Sequence, residues 1–110
     1  MSTDTCVVYF GLRFEIEVDE IESIELRSDP RVVSARKSGL KYYWGNFGGL
    51  DEKNLLFVGY QIGILGPENL DHVILSATEA EAAFEATRQK LKEGGFADVP
   101  AIHITWQPDV

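Results

Sequence analysis

The residues that most often bind metals or act as bases near neutral pH are sparse in this chain: one cysteine, Cys6, and two histidines, His72 and His103. A zinc centre needs three or four ligands converging in tetrahedral geometry, usually announced by pairs of Cys or His at short spacing. Cys6, His72 and His103 stand alone, so no metal is expected. His103 lies on the polar side of the alternating run "AIHITWQ". There a solvated or hydrogen-bonded imidazole is the plain reading and a general base the sharper one. A nucleophile elbow needs G-x-S-x-G and a phosphate loop ends in G-K-[ST]; the chain has neither. The glycines of "GYQIGILG" lack dinucleotide-fingerprint spacing, and no helix opens on them. No cofactor and no catalytic residue are expected.

Charge is the next candidate for chemistry. The formal net charge is -8, which repels phosphate backbones and anionic membranes and steers basic partners inward. Glu15, Glu17, Asp19, Glu20, Glu22 and Glu25 form an acidic segment. It reads either as a solvated face or as a contact for a basic partner. As a calcium loop it fails, lacking the ligand spacing and the turn glycine. Between Arg27 and Lys41 the sign reverses, with Arg27, Arg31, Arg36, Lys37 and Lys41 against Asp29 alone.

The lone cysteine excludes an internal disulfide and points to a reducing compartment. The start, "MSTDTCVVYFGL", carries no positive leader and no span-length apolar run. A cytoplasmic protein without a membrane segment is expected.

These side chains must be held by a scaffold, and the hydrophobic pattern predicts one. At 110 residues, 45% hydrophobic and 25% charged, the chain has the size and composition of a single soluble domain over residues 1–110. Alternation over Val8 to Val18 predicts a half-buried strand, and "DEIESIEL" a short helical segment. "SDPRVVSARKSG" predicts a helix over 30–38, capped by Asp29, opened by Pro30 and ended by Gly39. "LKYYWGNF" and "NLLFVGYQIGIL", joined by "GGLDEK", predict a long hairpin, and "HVILS" a short strand. The strongest helix runs from about Thr78 to Glu93. Ser76 or Thr78 caps it, and Ala80, Ala83, Phe84, Thr87 and Leu91 form its apolar stripe. "AIHITWQ" is the last strand.

This order predicts a two-layer α+β domain: a mainly antiparallel sheet of four to five strands with helices packed on one face. It resembles the split β-α-β layout of ferredoxin-like folds. By alternation the helices should cover Phe10, Leu12, Phe14, Tyr42, Trp44, Tyr60, Ile62, Ile102, Ile104 and Trp106. The other face then holds Tyr9, Gly11, Arg13, Tyr43, Gly45, Phe47, Phe57, Gly59, Gln61, Gly63, His103, Thr105 and Gln107.

That second face, rich in aromatics and glycines, has two readings. The rings lie across neighbouring glycines and the surface is self-packed, or they form a contact surface of large area and small conformational cost. On the second reading Tyr9, Arg13, Tyr43, Phe47, Phe57, Gln61 and His103 are the binding residues. The basic stretch beside "YYW" resembles the layout of the RNA-recognition fold, which stacks bases on strand aromatics. That fold's glycine-aromatic signature is missing and the net charge opposes it, so no nucleic acid partner is expected.

The leading expectation is a non-catalytic protein-binding module for a basic partner, a class that includes inhibitors and immunity proteins. The runner-up is a small-molecule binder or enzyme with a pocket near His103, Arg13, Tyr43 and Gln61. A third reading is a homodimer closed through the open sheet face.

Overall fold

The computed structural model describes residues 4–108. Strand β1 (Thr5–Glu15) leads through a 3-10 turn into α1 (Ile21–Glu25) and α2 (Pro30–Lys37). The hairpin β2 (Lys41–Asn46) and β3 (Asn54–Leu65) follows, then α3 (Ala77–Glu93) and β4 (Ala101–Gln107). The sheet has four antiparallel strands in the order β2-β3-β1-β4. Each helical crossover therefore joins two strands with a third between them, which is the split arrangement. The two-layer α+β architecture is as expected from the sequence.

Local chemistry accounts for the element boundaries. The Asp29 carboxylate accepts the Arg31 backbone N–H at 2.8 Å, capping α2, and Pro30 occupies its first turn. Ser76 Oγ accepts the Glu79 N–H at 3.1 Å and starts α3. The Asn46 side chain ties the hairpin loop, donating to Gly49 O at 3.0 Å and accepting from Gly48 N at 3.0 Å and Lys53 N at 2.8 Å. Two sequence-based elements differ. Strand β1 ends at Glu15 and Val18 turns away, 63% exposed. "HVILS" forms no strand: Val73 instead folds over Gly63, where a β-carbon would strike it.

One core lies where α2 and α3 meet the sheet: Leu12, Leu56 and Val58 from the strands, Val32, Ala35 and Leu91 from the helices, with Ile24 of α1. Trp44 and Tyr42 pack against it, as alternation requires. The stripe on α3 turns inward, and Glu81, Glu85 and Gln89 stay exposed.

A second core, on the face away from the helices, is built from Val7, Tyr9, Phe47, Leu55 and Phe57. It exists because the sheet is folded over on itself. Tyr9 faces Gln61, four positions along β3 from Phe57, which in a flat sheet is about 13 Å. Yet the Tyr9 and Phe57 rings stack with centroids 5.7 Å apart.

The bend sits at a cross-strand glycine pair, Gly11 and Gly59. Their φ angles are +157° and +150°, and a β-carbon on either would collide with the backbone of the opposite strand. Only glycine permits that conformation and that approach. A bulge at Ile62 follows, since Val8 opposes Gly63 while Tyr9 opposes Gln61. It corrects the expected register: Gly63 moves to the helix-side face with Val8, and Ile64 moves inward beside Val7.

Candidate functional site

The face expected to be open is closed. Tyr9 and Phe57 are 0% exposed and Phe47 is 8% exposed. Phe47 meets Phe57 edge-on with centroids at 5.4 Å, and Tyr43 meets Phe47 at 6.3 Å. These rings form a core and are unavailable as a contact platform.

The two edges of the sheet are latched together across them. Tyr43 of β2 donates its hydroxyl proton to Gln107 Oε1 of β4 at 2.6 Å, and Gln107 Nε2 donates to Asn46 O at 3.4 Å. In a flat sheet two intervening strands would hold these edges about 14 Å apart. Gly45 makes room, since a β-carbon there would press on the Gln107 amide.

His103 belongs to the same closure. Its Nε2 lies 3.1 Å from Gly11 O; a carbonyl only accepts, so the ring carries its proton there. The ring centroid is 6.0 Å from that of Phe57. Tyr9 donates its hydroxyl proton to Gln61 Oε1 at 2.9 Å. Burial, and then the nearby Tyr43, pushes the Tyr9 hydroxyl far above the ordinary tyrosine range. Burial also raises Tyr43, against the opposing effect of its bond to Gln107. Arg13 stays exposed. His103, Tyr43 and Gln61 are thus each committed to a partner inside the fold.

In the acidic segment Glu15, Glu17, Asp19, Glu22 and Glu25 are exposed. Glu20 is structural: its carboxylate accepts from Arg31 Nη2 at 2.8 Å and from the Glu17 N–H at 2.8 Å. Arg31 also grips Asp29 through two oxygens, at 3.0 and 2.9 Å, and lies 5.3 Å from the Phe14 ring centre. The Arg31 hydrogen bonds hold the Asp29 carboxyl below its ordinary range. Glu15 has a distant contact with Lys53 at 3.9 Å.

The surface that sequence reasoning missed is on the last strand. Ile102, Ile104 and Trp106 share the helix-side face, being opposite Phe10, Val8 and Cys6. They were expected to be core, but they are 53%, 70% and 58% exposed. The helices lie elsewhere: α3 packs on β1 and β3, and α2 on β2 and β3.

Beside this stripe, Val73 and Leu70 cover Gly63, in the same cross-strand row as Val8 and Ile104. Strand β4 is an edge strand, paired with β1 on one side. Residues 99–108, "VPAIHITWQP", contain no Asp, Glu, Lys or Arg, whereas edge strands are ordinarily blunted with charge. That missing charge was the legible signal.

Among the described residues, no group of three or more His, Cys, Asp or Glu is placed to hold a metal ion, and no helix is long and apolar enough to cross a membrane. No family model matches the chain, and comparison with curated proteins and with solved structures finds no significant match.

Proposed function

We propose that this protein is a non-catalytic protein-binding module that pairs with a second copy of itself through β4. The observation that carries this reading is the bare stripe of Ile102, Ile104 and Trp106 on an uncharged edge strand. Contiguous exposed apolar surface on a small domain marks an interaction site, and a free strand edge is a template for another strand.

The pattern favours a second copy as the occupant. The stripe is symmetric about Ile104, so antiparallel self-pairing centred there sets Ile102 of one copy opposite Trp106 of the other. Such an interface is isologous and closed. Two chains of net charge -8 repel at a distance, but they would meet here along a segment without charge. Dimerisation should accordingly strengthen as salt screens that repulsion.

On the same reading the exposed carboxylates of Glu15, Glu17, Asp19, Glu22 and Glu25 offer a basic protein partner a charged surface, as an inhibitor or immunity protein would. That association should weaken with salt, the opposite sense. A cytoplasmic setting, where Cys6 stays reduced, belongs to this proposal.

Sedimentation equilibrium tests the pairing. The wild-type chain should dimerise with rising concentration, more tightly at high salt, and Ile104→Lys should be monomeric with an unchanged circular dichroism spectrum. A wild-type chain that stays monomeric into the millimolar range, or an Ile104→Lys variant that dimerises as well as wild type, overturns the reading.

A further inference from the structure

Edge-to-edge pairing of β4 joins backbone N–H and C=O groups and leaves the side chains of Ile102, Ile104 and Trp106 standing on the helix-side face. The two-fold axis of an antiparallel pair runs perpendicular to the sheet, so both copies carry their helices on the same side. Resting on that pairing, we infer that the paired chain binds an amphipathic helix of a partner protein, apolar beneath and basic along its flanks, one helix to each pair.

The width of the space is the first argument. α3 packs on β1 and β3, and the strand order places β1 next to β4. Across the pair the two copies of α3 therefore stand four strand spacings apart, about 19 Å. Packed helices lie about 8 to 10 Å axis to axis, so one helix fits between them and touches both. A second sheet does not fit, because stacked sheets approach to about 10 Å and α3 fills that layer on either side. The seven residues of β4 extend about 23 Å, the length of a helix of about 15 residues.

The lining is the second. Phe84 stacks on Phe10 with ring centroids 4.0 Å apart, and the Arg88 guanidinium lies 5.5 Å from the same ring. Thr87 and Lys90 instead line a cleft with Tyr60 of β3, so α3 turns its Phe84 and Arg88 side toward β4. Glu81, one turn before Phe84, is on that side. It is exposed and in no ion pair among the described residues, whereas Arg88 is paired with Glu85 at 3.3 Å. Each wall thus presents an unpaired carboxylate beside the apolar floor, which selects basic flanks in the occupant.

No helix among the described residues is free to fill the groove. Ile24 of α1, Val32 and Ala35 of α2 and Leu91 of α3 are buried in one core. The occupant is therefore another protein's.

Calorimetric titration of the full chain tests this, at a concentration where sedimentation shows it paired. The probe is a 15-residue peptide amide of leucine and lysine in amphipathic helical order. Binding should saturate at one peptide per two chains, with a gain in helical circular dichroism. Glu81→Lys should weaken it about tenfold without changing the sedimentation of the pair, and Asp51→Lys, the same charge change at the hairpin tip, should bind as wild type. A chain that stays monomeric overturns the pairing and the groove with it. A paired chain that binds no peptide, saturates at one peptide per chain, takes a scrambled peptide of the same composition equally well, or is weakened equally by both substitutions overturns the groove alone.

Discussion

The two faces of the sheet where β1 meets β4 carry apolar side chains with opposite fates. On one face Tyr9 and Val7 are wholly buried although no helix covers them; on the other, Val8 and Cys6 lie beside Ile104 and Trp106, which remain more than half exposed although the helices are on their side. The difference arises from the bend at Gly11 and Gly59. Folding the sheet toward the helix-free side brings its two halves face to face, filling the hollow with their own aromatics. The same motion carries β4 away from the helical layer. A sheet that folds its two halves together around one face gains a core there, and here its outer edge is left bare.

The bend can be broken directly. Gly11→Ala should have the largest effect, on the order of 4 kcal/mol or outright loss of the fold, because its β-carbon would collide with the Val58 carbonyl oxygen. Chemical denaturation measures it. A Gly11→Ala variant as stable as wild type would mean that the bend has another origin.

The contrast between the faces is sharpened by a pair of substitutions. Phe57→Ala should destabilise by about 3 to 5 kcal/mol, as for a fully buried ring. Trp106→Ala should stay within about 0.5 kcal/mol for the monomer, as surface changes do. Equal losses in urea melts run at low protein concentration would show that the stripe is core after all.

A smaller effect comes from the raised Tyr9 hydroxyl. Its folded-state pKa lies above the unfolded value, so the neutral form contributes stability that is complete below about pH 10 and is lost as pH rises past it. Melting temperature should therefore fall above that pH. Tyr9→Phe should shallow the alkaline fall while costing about 1 kcal/mol at neutral pH, since the Gln61 oxygen loses its donor. An alkaline slope identical in both proteins would place Tyr9 in contact with water.

Much of the scaffold was legible because it is written in local terms. Asp29 caps α2 and Pro30 opens it through contacts confined to one turn, and the stripe from Ala80 to Leu91 buries the face of α3 that periodicity assigns. Tyr43 and Trp44 do point to opposite faces, as neighbours in a strand must. The candidate site was not legible in the same way. The seven residues assigned to an open face share that face, except that Tyr9, Phe47 and Phe57 are sealed within it and Arg13 alone is exposed. In the acidic segment nothing local distinguishes Glu20, spent on Arg31 and the Glu17 amide, from its exposed neighbours.

By itself the sequence determined which side chains share a face up to the bulge at Ile62, where helices start and stop, and the lack of charge along β4. Each of these depends on residues within a turn or a strand of one another. Only the tertiary structure decided which face is covered. That outcome depends on how far the sheet bends at two glycines some 48 positions apart, Gly11 and Gly59, and on a bulge at Ile62 that no local preference marks. It also depends on Gln107 reaching Tyr43 across the folded sheet at 2.6 Å. Burial is a property of what lies above a residue, and in this chain what lies above the aromatic face is the other half of its own sheet.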